Sequence, residues 1–106
     1  MNLTFDLKGV ICPLVTPFDE QNQIDYESSG ELVEFLIGHG IHGLMIGGTT
    51  SEGMLLSVKE RKALTEFMIK QVGGRVPIIA HTGCISTADT IELTLHASDA
   101  GATAAS

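Results

Sequence analysis

The sequence predicts an α/β fold of parallel strands joined by helical crossovers. Three observations carry that reading. Apolar patches open at residues 9, 43, 76 and 101, so they are 34, 33 and 25 residues apart. Each of the first three is short, apolar on both faces and rich in β-branched residues, as strands covered on both sides are. The segments between them change to the period of a helix, and such alternation favours parallel strands with right-handed crossovers.

The first strand is expected at about 9–16, through Val10, Ile11, Cys12, Leu14 and Val15. Proline cannot donate to a ladder, so Pro13 implies a bulge or an irregular stretch there. The first helix is expected at about 25–38, with Asp25 as N-cap, a stripe of Ser29, Leu32, Val33, Leu36 and Ile37, and a stop at Gly38 and Gly40. The second strand follows at about 43–47. The second helix, about 57–72, opens with Ser57-Val58-Lys59-Glu60, a capping box. Leu64, Phe67, Met68, Gln71 and Val72 form its face, and Gly73-Gly74 ends it. Pro77 suits the start of a third strand at about 76–81. A third helix at about 86–99 is expected to turn Ala88, Ile91 and Leu95 inward, and a fourth strand starts at about 102–106. Each unit has the size of one βα unit of a (β/α)₈ barrel, whose whole length is about 250 residues. The expectation is one partial domain over residues 1–106, ending where its fourth strand gains length, which suggests a truncation.

Composition narrows the function classes. Apolar residues make up 43% and charged residues 18% of the 106, enough to bury a core and too few charges for a disordered chain. Thirteen acids against six bases give a net charge of −7, which repels phosphate backbones and anionic membrane surfaces. With one tyrosine and no tryptophan there is little on which to stack a base. No apolar run approaches the roughly 20 residues of a spanning helix. The N-terminal Met1-Asn2-Leu3-Thr4-Phe5-Asp6 has neither a basic region nor an apolar core, so no leader is expected and the chain is placed in the cytoplasm. Cys12 and Cys84, 72 positions apart, are expected as reduced thiols with Cys12 buried.

The densest candidate for chemistry is Gly47-Gly48-Thr49-Thr50-Ser51-Glu52-Gly53, directly after the second strand. It reads either as a tight strand-to-helix turn or as a small anion site, in which amides and hydroxyls converge at the C-terminal edge of a parallel sheet. A phosphate loop fails, because Met54 stands where the lysine must be. A carboxylate or carbonyl ligand fits better. Glu52 reads as an acid or, more simply, as a structural acceptor. His81, ending the third strand at the same edge, reads as a ligand contact or a rim residue, and Thr16 could add a hydroxyl.

Val15-Thr16-Pro17-Phe18, Gly48-Thr49-Thr50-Ser51-Glu52-Gly53, Leu56-Ser57-Val58-Lys59-Glu60-Arg61 and Val76-Pro77-Ile78-Ile79-Ala80-His81-Thr82-Gly83 together resemble the dihydrodipicolinate synthase / N-acetylneuraminate lyase family. The resemblance runs through the whole chain, in order and with matching spacing. It implies a (β/α)₈ barrel in which a lysine forms a Schiff base with pyruvate or another 2-oxo acid, and a carbon–carbon bond is then made or broken. It also implies that Gly48, Thr49 and Thr50 lie in the loop that binds the 2-oxo acid carboxylate, and that Thr49 joins a hydroxyl proton relay. No cofactor or metal is implied, and a homo-oligomer is expected. Two departures stand out. Ser51 occupies a position usually held by glycine. The Schiff-base lysine and its tyrosine partner belong to the sixth and fifth strands, whereas Lys8, Lys59, Lys62, Lys70 and Tyr26 lie before or on early helices. The nucleophile is therefore absent from this chain. The reading is the N-terminal part of a 2-oxo-acid-dependent lyase or aldolase, inactive alone, with Val10, Cys12, Leu44, Ile46, Ile78 and Ala80 on strands that lack part of their cover. The alternative is a non-catalytic α/β module for binding or self-association.

Overall fold

A computed structural model describes residues 7–106, and the leaderless reading of Met1–Asp6 lies outside the described residues. The elements alternate as β1 (Ile11–Pro13), α1 (Tyr26–Gly38), β2 (Gly43–Ile46), a 3-10 turn (Gly53–Leu55), α2 (Val58–Val72), β3 (Ile78–Ala80), α3 (Thr87–Ala100) and β4 (Ala104–Ala105). The strands form one parallel sheet in the order β1-β2-β3-β4. Sequential parallel order with a helix in every crossover is the arrangement of a barrel wall.

Local chemistry sets the helix ends. The Asp25 carboxylate accepts from the Ser28 amide and hydroxyl at 3.0 and 2.8 Å, and these bonds hold its pKa below the usual value. Ser57 and Glu60 complete their capping box at 2.8 and 3.0 Å. Ser86 accepts from the Asp89 amide to start α3.

Pro13 produces no bulge. The β1–β2 register runs unbroken through Ile11–Gly43, Cys12–Leu44 and Pro13–Met45. The Leu14 amide donates to the Met45 carbonyl at 2.9 Å, so by alternation the nitrogen of Pro13 faces the free edge, where no donor is needed. Pro77 sits just before β3 and its carbonyl accepts from the Leu44 amide.

The sheet has one covered face. Leu14, Leu44, Ile46, Ile78 and Ala80 are at most 4% exposed and pack with Val33, Leu64, Met68 and Val72 of the helices. Of the residues expected to lack cover, Leu44, Ile46, Ile78 and Ala80 are therefore fully covered. Alternation places Val15, Met45 and Ile79 on the opposite face, and these are the half-buried or exposed ones. Val10 is exposed, and Cys12 is half-buried rather than buried; both cysteines are free thiols.

The inward face of α3 is also corrected. Leu93 and Ala97 are buried, whereas Ala88, Ile91 and Leu95 are exposed. Two apolar stripes compete on this helix, and lateral bonds select between them. Thr94 Oγ1 meets Thr82 Oγ1 at 2.8 Å, Glu92 pairs with Lys62 at 3.3 Å, and His96 reaches Glu66 at 2.9 Å. Those partners, on α2 and on the segment after β3, hold α3 so that the small Ala97 faces inward.

Candidate functional site

The loop after β2 is built to hold two threonines outward. Ser51 is 2% exposed, and its hydroxyl accepts from the Gly47 amide at 3.1 Å while donating to the Leu14 carbonyl of the segment after β1. One side chain thus ties the loop to two adjacent strands. The Gly53 amide returns to the Gly48 carbonyl at 3.0 Å, and the Ser51 amide to the same oxygen at 3.1 Å. A Cβ at Gly53 would collide with the Gly47 carbonyl, so the loop closes this tightly only with glycine there. Glu52 adopts φ 59, a left-handed backbone that non-glycine residues rarely take. Its carboxylate is exposed and makes no cap bond, so Glu52 contributes backbone shape rather than an acceptor.

Thr49 and Thr50 stand at the apex of this turn, both exposed. Among the described residues, neither hydroxyl and neither amide is engaged in a hydrogen bond, while the Thr49 carbonyl accepts from the Glu52 amide at 3.0 Å. Gly48 is buried just beneath them. The loop therefore offers hydroxyls and amides at the C-terminal edge of a parallel sheet, the side on which such sheets bind ligands. Two amides and two hydroxyls can donate to a carboxylate without a cation. Thr16 does not join them. It is 5% exposed and lies on the helix-covered side with Leu14.

His81 does belong to this edge. It follows β3, donates its amide to the Ile46 carbonyl at 2.9 Å, and stands one step beyond the Ile46–Ala80 pair, level with Gly47. Its pKa is lowered, first by burial and then by the neighbouring Arg61 charge.

Arg61, which the sequence pattern gives no role beyond its place in the Leu56–Arg61 motif, is the buried cation of this edge. It is 4% exposed, and its guanidinium donates to the carbonyls of His81 and Gly83 at 2.8 Å, to Cys84 Sγ at 3.1 Å and to His81 Nδ1 at 3.2 Å. Its Nε has no partner among the described residues. A signal was available: Arg61 lies one turn before Leu64 and Thr65 on the buried stripe of α2, so the face that ends at Val72 begins with a cation. The four lysines lie away from this edge. Lys8 precedes β1, and Lys59, Lys62 and Lys70 are on α2, exposed or half-exposed, with Lys62 paired to Glu92. Tyr26 opens α1, and its ring meets that of Phe67 at a tilt of 51° with the centroids 4.9 Å apart. Among the described residues no group of three or more His, Cys, Asp or Glu is placed to hold a metal ion.

Residues 6–106 match the Dihydrodipicolinate synthetase family. The chain belongs to that family. It is 45% identical over 98 residues to the 4-hydroxy-tetrahydrodipicolinate synthase of Pseudomonas putida, covering 92% of this chain and 34% of that protein. It is equally 45% identical, over 87 residues, to the N-acetylneuraminate lyase of Salmonella paratyphi B, covering 82% of this chain and 29% of the relative. Its fold superposes with a TM-score of 0.90 and 38% identity on the dihydrodipicolinate synthase of Aquifex aeolicus, over 93% of this chain and 33% of that one. A similar likeness, at a TM-score of 0.90, 39% identity and 94% and 34% coverage, holds for the chloride-inhibited dihydrodipicolinate synthase of Acinetobacter baumannii complexed with pyruvate. The chain thus spans about a third of the length of the relatives it matches. Its sheet and helices correspond to the opening βα units of this family's TIM barrel. No helix among the described residues is long and apolar enough to cross a membrane.

Proposed function

We propose that this chain supplies the N-terminal wall and the carboxylate-binding loop of a 2-oxo-acid-dependent lyase or aldolase acting in the cytoplasm. The observation that carries the reading is the Thr49–Thr50 apex, where unengaged hydroxyls and amides face outward from a loop pinned by Ser51 and Gly53. Its support from relatives is the family membership, with members that include synthases and lyases and one solved in complex with pyruvate. In this reading Thr50 and the loop amides bind the carboxylate of pyruvate or a similar 2-oxo acid. Gly48 lets the backbone approach closely. The Thr49 hydroxyl passes a proton between the covalent intermediate and its neighbours.

The nucleophile comes from outside this chain. A catalytic amine needs a desolvated, inward position to lose its proton near neutral pH. Lys59, Lys62 and Lys70 sit on the outer helix instead. Treatment of the chain with pyruvate and borohydride, read by intact mass, is therefore expected to leave all its lysines unmodified. A pyruvyl mass increment on any of them would overturn this assignment. In the complete protein, Thr50→Val is expected to weaken 2-oxo acid binding about tenfold while the melting temperature holds. Unchanged binding would make the loop a plain turn.

A second observation favours association. Val15 is 51% exposed on the open face of the sheet, and Ile91 and Leu95 are 55% and 62% exposed on α3. Covering such surface releases about 25 cal/mol per Å². In isolation the chain is expected to form a homo-oligomer, which sedimentation at low micromolar concentration checks; a compact monomer with cooperative unfolding would refute it.

A further inference from the structure

We infer that His81 is a ligand-binding residue of the same site, positioned by Arg61, which locks its imidazole in one tautomer so that it presents a single N–H donor to an oxygen of the ligand held by the Thr49–Thr50 loop. The inference rests on the carboxylate-loop reading above and deepens it.

The tautomer follows from the donor inventory. A guanidinium has donors and no acceptor. Arg61 Nη2 approaches His81 Nδ1 at 3.2 Å and the His81 carbonyl at 2.8 Å, a two-point grip on one residue. Nδ1 must therefore be the bare nitrogen, and the ring proton sits on Nε2. Protonating Nδ1 would set an N–H against an N–H beside a buried cation. Burial and the Arg61 charge both act in the same direction, lowering the affinity of the ring for a second proton. Arg61 is itself held in place by the Gly83 carbonyl at 2.8 Å and Cys84 Sγ at 3.1 Å. The arginine thus has four partners, all in the segment from His81 to Cys84.

The placement follows from the sheet. Ala80 and Thr82 point under the helices, so His81 between them belongs to the other face, level with Gly47. Gly48, which leads into Thr49, adjoins it: a Cβ at Gly48 would lie 3.9 Å from that of His81. A Cβ at Gly83 would come within 2.8 Å of Cε1 and 3.2 Å of Nε2, so glycine there leaves the ring its room. Among the described residues Nε2 has no hydrogen-bond partner, and the side chain is half-buried rather than sealed. A neutral, oriented donor at the same sheet edge as the two threonines suits a carbonyl, hydroxyl or carboxylate oxygen of a small 2-oxo acid.

The test is imidazole NMR on the complete protein labelled with ¹⁵N-histidine near neutral pH, with amide spectra recorded in parallel during a pyruvate titration. His81 is expected to show the Nε2–H pattern, and its Nε2 signal is expected to move with pyruvate together with the Thr49 and Thr50 amides. His81→Asn keeps an acceptor at the position of Nδ1 for Arg61 but removes the distal donor. It is expected to weaken pyruvate binding about tenfold with melting unchanged, whereas His81→Gln, which restores a distal amide donor, recovers part of that loss. An Nδ1–H or averaged tautomer overturns the inference. So does a titration in which the threonine amides move and Nε2 does not. Motionless threonine amides at saturating pyruvate would instead refute the carboxylate-loop reading, and this inference with it.

Discussion

The two faces of the sheet obey different rules. Toward the helices, Leu14, Leu44, Ile46, Ile78 and Ala80 are sealed at 4% exposure or less, with β2 and β3 contributing alternate residues and Leu14 following β1. On the other face Val15 is 51% exposed, and Met45 and Ile79 are half-buried, although their chemistry is just as apolar. The difference teaches that apolar character says a residue can be buried, and only a partner surface says that it is. In a closed barrel that second face packs in layers against the opposite wall. The described chain carries the helical cover of the first face within itself, and it does not carry the wall opposite the second.

The largest expected effect tests that comparison directly. Leu44→Ala should destabilise by about 2–5 kcal/mol, since it opens a cavity in a sealed layer. Val15→Ala in the same chain should stay within about 0.5 kcal/mol. Chemical denaturation of both variants checks the contrast, and similar losses would mean that the open face is covered in solution. The contrast should shrink in the complete protein, where Val15→Ala should approach the cost of a core substitution.

Ser51→Ala is expected next. It leaves the Gly47 amide and the Leu14 carbonyl without their shared partner in a buried position, a loss of about 1–3 kcal/mol. Ser51→Gly, the residue usual at this position in the resemblance, should lose the same two bonds. If it is nevertheless neutral, backbone groups or water replace the hydroxyl, and the loop is held by Gly53 alone. Equilibrium melts of the two variants separate these outcomes.

Two smaller effects concern pH. The neutral form of His81 is favoured in the fold, so the unfolded chain takes up a proton at higher pH than the folded one. Stability should be fully present above the ordinary histidine value and should decline as pH falls below it. His81→Asn should remove that part of the decline, which melting at a series of pH values measures. Glu34, bridged to Arg75 at 2.8 Å through both carboxylate oxygens and to Gln71, titrates at about 2. Its contribution is present above the ordinary carboxylate value and disappears as pH falls towards about 2. The pair is exposed and screened, so Glu34→Gln should flatten the acid limb only slightly.

Much of the fold was legible in local chemistry. Asp25, Ser57 with Glu60, and Ser86 cap the three helices because capping needs only residues three apart in sequence. The parallel alternation was legible because apolar runs on a fully covered strand differ in period from a helix face. The candidate site was legible in part. Gly48, Thr49 and Thr50 stand out as turn residues with donors at a strand end, but nothing in their order says that Ser51 is the anchor. Its partner, Leu14, is 37 residues away. Arg61 was hidden for a similar reason: its side chain serves a segment that follows it by 20 residues or more. On α3, Ile91 and Leu95 were as good a stripe as Leu93 and Ala97, and the choice belonged to Thr82, Lys62 and Glu66 on other elements.

By itself, then, the amino-acid order determined the parallel βα alternation, the helix caps and the presence of a donor-rich turn after β2. These depend on backbone propensity and on contacts within a few residues, which a linear pattern records. Only the tertiary structure decided which strand face is sealed, which side of α3 turns inward, that Ser51 ties Gly47 to Leu14, and that Arg61 grips His81. Each of these requires groups far apart in sequence to meet, within about 3 Å for a hydrogen bond or about 4 Å for packed apolar side chains. Whether a given apolar or polar side chain meets such a partner is set by how the elements pack, and no spacing along the chain encodes it.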